Sequence, residues 1–270
     1  GIVDLGYVAG YPRTLRAHSP ALGLDLLAPA PAGAAPPPGW PANLFWTPEW
    51  AAFLDPAEPI SCFVYKEGRS SQWNQFEADA ISALVWLLRG RMGNQLRHER
   101  DRSGELIPGD GQPYDGERFW SSGIGIVTPH RAQQALIISQ LQHIFPDDPV
   151  QRIRGAVDTV ERFQGQQRDT ILATFALGDR DAIRDEDAFL LSLNRFNVMA
   201  SRARAKLIVF VSQEVVDHLS SDMDVLRGSA LLKTFAETFC SRSRPVQLGY
   251  VPSGPPQPPR LVEGLLRWRP

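Results

Sequence analysis

The chain has 270 residues, of which 43% are hydrophobic and 21% are charged, and its formal net charge is −2. This length allows one large domain or two small ones, and the composition is ordinary for a globular protein. The charge balance excludes a global basic field, so any binding to nucleic acid depends on a local patch. Cys62 and Cys240 are far apart and match no metal-binding spacing. They indicate a reducing, intracellular setting.

The sequence contains no apolar run long enough to span a membrane, and its N-terminus lacks a signal-peptide pattern. We therefore expect a cytoplasmic protein without a membrane partner. Residues 1–56 predict an irregular connecting segment, because residues 28–41 are mostly Ala, Pro and Gly. The aromatic residues near its end are expected to pack against a neighbouring domain; they are Trp40, Phe45, Trp46, Trp50 and Phe53.

Between residues 57 and 240, strands and helices alternate. The run 60–66 is β-branched and aromatic and predicts a strand, whereas residues 74–89 place apolar side chains at the three-to-four spacing of an amphipathic helix. Residues 90–120 are charged, contain several glycines and show no period, which predicts a long surface excursion. Prolines concentrate between residues 252 and 259, so residues 241–270 predict a flexible tail.

The second half of this region continues the alternation more strictly. Strands are predicted at 123–129, 156–160, 169–176 and 206–212, and helices at 131–145, 194–204, 213–220 and 224–239. Because the strands are unbroken apolar runs, they predict an α/β fold with a parallel sheet covered on both faces. Ligands bind such sheets beyond the carboxyl ends of the strands. The polar residues that follow the strands are therefore the candidates for a site.

Read alone, these polar residues have ordinary explanations as well. FQGQQRD, at 163–169, is a turn in which Gly165 permits a positive φ, and Gln164 could bond a phosphate, a base or only a loop carbonyl. Arg202 and Arg204 flank a predicted helix end, where arginines are usually solvated or bound to helix carbonyls. The functional interpretation rests on several such segments occurring together and in order.

Three segments occur in such an order: IGIVTPHRAQ at 124–133, VDTVERFQG at 157–165 and LNRFNVMASRAR at 193–204. Together they resemble motifs IV, V and VI of superfamily 1 helicases, with the best agreement in the 5′-to-3′ branch. NQFEADAISALV at 74–85 is similar to the Asn–x–x–Glu–Ala helix that precedes motif IV in that family. The resemblance covers residues 57–215. It implies the second, C-terminal RecA-like domain of such a helicase, a P-loop NTPase-type fold without the phosphate-binding loop.

The resemblance assigns two groups of residues. Arg202 takes the position of the arginine finger, the catalytic residue that contacts the γ-phosphate, where a rigid guanidinium stabilises the charge of phosphoryl transfer. Further nucleotide-binding positions fall on Gln164, Gly165, Gln167, Arg195 and Arg16, the last from a segment similar to the family's Tyr–Arg–Met–His. Positions that contact the nucleic-acid backbone fall on Thr128, Pro129, His130 and Thr159. Hydroxyl groups and backbone amides suit phosphate contacts, which position a strand without reading its sequence.

The chain also departs from the family pattern. Glu161 stands where the family usually has Asp, and Gln167 stands where it has a Glu that contacts the nucleotide sugar. Ala200–Ser201 replaces Leu–Thr before the finger arginine. No GxxxxGK[ST] loop and no acidic Walker B strand occur in this sequence. The phosphate cradle and the Mg²⁺ ligands are therefore expected in a partner, the N-terminal RecA-like domain of the same protein, and this chain alone is expected not to hydrolyse ATP.

The sequence thus predicts one half of an ATP-dependent helicase that translocates on single-stranded DNA or RNA, with ATP and Mg²⁺ as cofactors. The alternative is a non-catalytic RecA-like scaffold that binds nucleic acid or protein, which Glu161 and Gln167 would suit. A stand-alone small-molecule enzyme has little support, because no nucleophile–base set follows the predicted strands.

Overall fold

The fold is described from a computed structural model, which describes residues 2–8, 13–14, 22–26, 33, 35–108, 114–163, 165–254 and 257–269. The nucleotide-binding predictions for Gln164 and Arg16 lie outside these residues. In chain order, the elements are α1 (Ile2–Val8), β1 (Leu22–Leu26), a 3₁₀ helix (Pro48–Leu54), β2 (Ile60–Tyr65), α2 (Gln75–Leu88), β3 (Met92–Arg100), β4 (Leu106–Pro108), α3 (Gly116–Arg118) with a π-helical turn (Phe119–Gly123), β5 (Ile124–Thr128), α4 (Arg131–Ile144), α5 (Val150–Ala156), β6 (Val157–Thr159), β7 (Arg168–Thr174), α6 (Arg180–Asp185), α7 (Asp187–Leu190), α8 (Leu193–Ser201), β8 (Ala203–Ser212), α9 (Gln213–Asp217), α10 (Met223–Lys233) with a π-helical turn (Thr234–Phe239), β9 (Arg242–Tyr250) and β10 (Arg260–Trp268).

A seven-stranded sheet in the order β6-β5-β7-β8-β2-β10-β9 organises the domain. Its first five strands are parallel, and β10 and β9 complete it in antiparallel pairing. The predicted parallel α/β fold is therefore confirmed. The strands and helices predicted between residues 57 and 240 are present, and their observed ends lie within three residues of the predicted ends when the π-helical turn is counted with α10. None of the described helices is long and apolar enough to cross a membrane.

Each face of the sheet carries its own hydrophobic core. Successive side chains of a strand point to opposite faces, so Phe63 and Tyr65 of β2 join the core under α2 and α4, while Cys62 and Val64 join the core under α8 and α10. This two-sided burial explains why the strands are continuous apolar runs in the sequence, and it confirms the layered arrangement.

The aromatic residues at 40–53 pack mostly onto this domain's own sheet, so the prediction that they cover a neighbouring domain is wrong. Phe53 is fully buried and stacks on Phe210 of β8 with ring centroids 5.6 Å apart. Trp50 is also fully buried and donates its indole N–H to the carbonyl of Phe45 at 3.0 Å. Trp40 packs edge-on against Trp50 at 5.4 Å. Large aromatic side chains on the sheet provide an apolar face that this segment covers.

The predicted flexible tail is likewise wrong, because β9 and β10 form a hairpin within the main sheet. β10 pairs with β2 over five residues, with Leu266 opposite Phe63, and Leu266 is fully buried. The clustered prolines belong to the segment that connects the two strands, and Pro245 lies in β9, an edge strand where a missing N–H is tolerated.

The surface excursion at 90–120 also contains regular structure. β3 pairs with β1 and with β4 in antiparallel register and forms a separate three-stranded sheet. The charged residues of this segment follow no alternating pattern, so strands could not be predicted there.

Candidate nucleotide and nucleic-acid sites

The predicted backbone-binding residues meet at the carboxyl edge of the sheet. Thr128 ends β5 and Thr159 ends β6, and the two are register partners in the parallel pair. Both side chains are buried, and the Thr128 hydroxyl has no hydrogen-bond partner within the part of the chain that the structure describes. Pro129 follows as a buried residue, and His130 is the N-cap residue of α4. The structure therefore brings these four residues together, as the motifs predict.

His130 belongs to a cluster that the sequence did not reveal. Its Nε2 lies 3.4 Å from Oε2 of Glu186, and its ring stacks on Phe189 with centroids 5.8 Å apart. Burial lowers the pKa of His130, while Glu186 and Glu161 oppose that shift. The imidazole thus faces side chains of the loop region after β7, which leaves backbone groups of the 128–130 segment as the better candidates for phosphate contact.

Arg195 joins this cluster to the turn after β6. Its Nε lies 2.7 Å from Oε1 of Glu161, its Nη1 donates to the carbonyl of Phe189 at 2.9 Å, and its guanidinium lies 3.8 Å from the centre of the Phe189 ring. Burial would raise the pKa of Glu161, but the hydrogen bond from Arg195 keeps it below its usual value. Arg195 therefore fastens the start of α8 to the turn between β6 and β7, which we call the motif V turn (residues 160–167). Its contact with a nucleotide stays a prediction.

Arg202 lies at the opposite edge of the sheet from Thr128 and Thr159. It is the C-cap residue of α8 and immediately precedes β8, whose first residue, Ala203, pairs with Arg168 at the start of β7. The Arg202 carbonyl accepts a hydrogen bond from the Arg168 N–H at 3.0 Å. The expectation of one site beyond the carboxyl ends is therefore wrong for Arg202. It sits at the amino ends, because α8 runs antiparallel to the strands and begins on the carboxyl side.

The motif V turn connects the two edges. It leaves β6 at the carboxyl edge and enters β7 at the amino edge, with Phe163 buried beneath it. Gly165 has φ +86, and no atom lies within 4 Å of the position that a Cβ would take. Glycine is therefore favoured here by the backbone conformation and not by a lack of space. Gln167 is exposed near the start of β7, on the same side as Arg202. The predicted nucleotide residues Gly165, Gln167 and Arg202 thus lie together, apart from the backbone-binding residues.

The amino edge near Arg202 is positively charged. Arg168, Arg202 and Arg204 are grouped there, and Arg204 pairs with Asp169 at 2.7 Å. Burial and the nearby Arg204 lower the pKa of Arg168, which is the response of a cation beside another cation. Among the described residues, no carboxylate lies within 4.0 Å of the Arg202 guanidinium, whose Nε donates to the Val198 carbonyl at 3.2 Å. An edge with three arginines and one paired carboxylate suits an anionic ligand.

A buried polar network supports the carboxyl edge, and the sequence assigned it no role. Glu77 is fully buried and accepts hydrogen bonds from the Tyr65 hydroxyl at 2.6 Å, from the Thr174 hydroxyl and from the Ala176 N–H at 2.8 Å. Burial raises the pKa of Glu77 to about 7 despite these donors. The network joins α2 to the carboxyl ends of β2 and β7.

Asn74 extends this network to α4. Its side chain caps α2 by accepting from the Glu77 N–H at 3.0 Å, and its own backbone N–H donates to Oε1 of Gln133 at 2.8 Å. Asn74 and Glu77 have the spacing of a capping box, in which the glutamate would return to the N-cap N–H. Here Gln133 takes that N–H, and Glu77 turns into the core instead. The Asn–x–x–Glu spacing was the only sequence signal for this arrangement.

Comparison with known proteins agrees with this architecture. A sequence profile of the AAA domain family matches residues 53–214, more than half of the chain. The DNA replication ATP-dependent helicase/nuclease JHS1 of Arabidopsis thaliana is 32% identical over 99 residues, which are 37% of this chain and 7% of the relative. The probable helicase senataxin of Mus musculus is 29% identical over 161 residues, 53% of this chain and 6% of the relative. The probable RNA helicase armi of Drosophila melanogaster is 35% identical over 91 residues, 32% of this chain and 7% of the relative.

The RecA-like sheet and the order of motifs IV, V and VI define a domain of the helicase class. The chain belongs to the AAA domain family, as a helicase-related domain of the superfamily 1, 5′-to-3′ type. It spans only a small part of the length of the curated relatives that it matches.

Proposed function

We propose that the chain is the second motor domain of an ATP-dependent superfamily 1 DNA or RNA helicase. The amino edge would supply Arg202 to the nucleotide, and the carboxyl edge would bind the backbone of a single strand. The observation that carries this proposal is that the predicted residues form two groups at opposite edges of the same parallel sheet.

The nucleotide half of the proposal rests on charge and geometry. Arg202 ends a helix, is half-buried, and has Arg168 and Arg204 for neighbours. Such a site would stabilise charge on transferring phosphoryl oxygens. The described residues contain no group of three His, Cys, Asp or Glu side chains that could hold a metal ion. Because the sequence has no GxxxxGK[ST] loop and no acidic Walker B strand, we propose that a partner RecA-like domain of the same protein holds the triphosphate and Mg²⁺. The metal ion would there help to neutralise the charge of the phosphate groups.

The nucleic-acid half rests on the buried Thr128 hydroxyl and on the backbone of the 128–130 segment. A hydroxyl buried without a hydrogen-bond partner is costly unless a ligand or water satisfies it. Thr128 and Thr159 lie side by side, so the segments that follow them would present backbone groups to adjacent phosphates of one strand. Contacts of this kind carry no sequence preference and suit a translocating motor.

Two elements would couple the halves. α8 carries Arg195 near its beginning and Arg202 at its end, which are roughly 10 Å apart along a helix axis. The motif V turn runs between the same edges, and the Arg195–Glu161 ion pair joins it to α8. Movement of Arg202 toward a phosphate would therefore shift the turn that leads back to Thr159.

The test is the nucleic-acid-stimulated ATPase activity of the full-length protein. Loss of an arginine finger costs about 10³- to 10⁵-fold in kcat, so we expect a loss of that order for Arg202→Ala with little change in affinity for single strands. The control is Arg227→Ala on α10, an exposed arginine that pairs only with Asp224 in the described region and should leave turnover unchanged. Wild-type turnover in Arg202→Ala would reject the arginine-finger assignment.

A non-catalytic scaffold is the second candidate, favoured by Gln167, which is exposed and neutral where the family has a carboxylate. Under this alternative, the full-length protein would bind single strands yet show no ATPase activity above background. Restoring the carboxylate with Gln167→Glu would not raise nucleotide affinity.

A further inference from the structure

A groove crosses the surface between the loop after β2 and the β9–β10 hairpin. We call it the hairpin groove; it consists of two adjoining cavities of about 640 and 330 Å³ that share Glu67, Arg69, Gln257 and Arg260. Trp73 lines the smaller cavity and is 54% exposed. The hairpin lies beyond residue 214, where the match to the family ends, so one wall of this groove lies outside the matched region.

The lining of the hairpin groove carries more cations than anions, with Lys66, Arg69 and Arg260 against Glu67 and Glu214. Of its two carboxylates, Glu67 accepts the backbone N–H groups of Arg69 and Ser70 at 2.8 and 3.2 Å, and Glu214 binds Arg180. Arg69 and Arg260 are exposed, and no carboxylate lies within 4.0 Å of either guanidinium in the regions that the structure covers. Two cations therefore face the solvent in a groove whose acidic groups are already engaged.

Trp73 provides an apolar surface beside these cations. No aromatic ring of the described residues stacks on its indole, whereas the other tryptophans are buried or half-buried. An exposed indole between arginines is the combination that binds single-stranded nucleic acid, since bases stack on the ring and phosphates bind the guanidinium groups. Arg260 is itself held over the Tyr250 ring, with 5.5 Å between the guanidinium carbon and the ring centre.

Direct contacts connect the groove to the carboxyl edge. The Ser70 carbonyl accepts the N–H groups of Gly178 and Asp179 at 2.8 and 2.9 Å, which fixes the loop after β2 against the segment after β7. Gln72 donates to Glu186 at 3.3 Å, and Glu186 reaches His130. The groove therefore continues the surface that begins at Thr128 and Thr159.

We propose that the hairpin groove is a subsite for single-stranded nucleic acid, in which Trp73 stacks on a base and Arg69 and Arg260 bind flanking phosphates. The subsite rests on the proposed function and extends the strand's path from β5 and β6 across β2 to the hairpin. The length of single strand that the protein contacts would therefore increase by the nucleotides that the groove holds.

The test measures binding of fluorescently labelled single-stranded oligonucleotides to the full-length protein by anisotropy, across a range of salt concentrations. Loss of one stacking residue weakens binding by about 5- to 100-fold, so we expect a loss in this range for Trp73→Ala and recovery of most of it in Trp73→Phe. Each phosphate contact with a single strand contributes a salt slope of about 0.7. Arg69→Ala with Arg260→Ala should therefore reduce the slope by about 1.4.

Leu219→Ala is the matched control, because Leu219 is also a large exposed hydrophobic residue but lies away from the groove lining. Wild-type affinity and salt slope in the Trp73 and arginine variants, with weaker binding in Thr128→Val, would overturn the groove alone. A wild-type protein that binds no single strand would overturn the proposed function as well. A groove that binds an acidic peptide without competition from oligonucleotide would overturn the subsite and assign the surface to a protein.

Discussion

Glu77 is a carboxylic acid enclosed by the core, with its pKa raised by burial to about 7. The folded chain then binds one more proton than the unfolded chain between pH 4.5 and about 7, so its free energy of unfolding falls as the pH rises through that window. The full effect is roughly 3 kcal/mol, from 1.36 kcal/mol per pKa unit. In Glu77→Gln this pH dependence should disappear, which urea unfolding at pH 5 and pH 7.5 would measure.

Asp79, two residues after Glu77 in α2, provides the control. Burial raises the pKa of Asp79 to about 6, so its ionisation also lowers the free energy of unfolding as the pH rises, but over a lower pH range than that of Glu77. Asp79→Asn should therefore flatten only the part of the profile below about pH 6. If Glu77→Gln keeps the wild-type slope between pH 6 and pH 7, the carboxyl of Glu77 is not the group that titrates there.

Gly125 tests how tightly the motif V turn is held. A Cβ at this position would lie 2.6 Å from Cζ of Phe163 and 2.7 Å from Cγ of Arg168. Gly125→Ala must therefore displace the residue buried beneath the turn, at a cost of about 1–3 kcal/mol in unfolding free energy. We also expect weaker coupling, seen as a higher concentration of single strand needed to stimulate ATPase activity.

Gly155 in α5 is the matched comparison, because nothing lies within 4 Å of a Cβ there. Gly155→Ala should be neutral or raise stability by up to about 1 kcal/mol, since alanine favours a helix. Equal destabilisation by the two substitutions would show that the contact with Phe163 is not what restricts Gly125.

At the scale of elements, the β9–β10 hairpin makes the clearest prediction. Leu266 is fully buried opposite Phe63, whereas Leu261 of the same strand is 58% exposed. Leu266→Ala should lower the free energy of unfolding by about 2–5 kcal/mol, and Leu261→Ala should change it by less than about 0.5 kcal/mol. Thermal and urea unfolding of both variants would measure the difference. Equal small effects would mean that the hairpin is not part of the core.

The elements also show where sequence reasoning succeeds and fails. β5, β7 and β8 were predictable because they are buried on both faces of the sheet. Their sequences are therefore continuous apolar runs with clear ends, without the alternation of polar and apolar residues seen in half-exposed strands. The hairpin was not, because seven of its 18 positions are exposed and the prolines of its connection suggested disorder. Its pairing with β2 is a non-local contact that local pattern cannot indicate.

The candidate site divides in the same way. Thr128 and Thr159 end strands, so their meeting at one edge followed from parallel pairing alone. Arg202 lies at the amino edge because α8 runs antiparallel to the strands, and the match to the motifs does not predict the orientation of that helix. Phe189 and Glu186, which hold His130 and Arg195, come from a segment whose only sequence feature was acidity.

For the whole molecule, the important feature is that the candidate binding residues lie at both edges of one sheet. The sheet separates the charged group at Arg202 from the polar groups at Thr128, so the two ligands would not compete for space or charge. The strands between them are buried and hydrogen-bonded, which makes them a stiff spacer. Among the described elements, we expect α8 and the motif V turn to transmit a change from one edge to the other, because the Arg195–Glu161 ion pair joins them.

The position of β10 between β2 and β9 also has a consequence for synthesis. β2 is synthesised before its partner on one side, β10, which is made last among the described strands. Until residues 260–268 emerge, β2 presents an open edge of unpaired amides and carbonyls to the crowded cell, and such edges recruit other chains. The nascent protein would therefore depend on chaperones, or on rapid translation of the residues between β2 and β10, more than the buried core of the folded domain suggests.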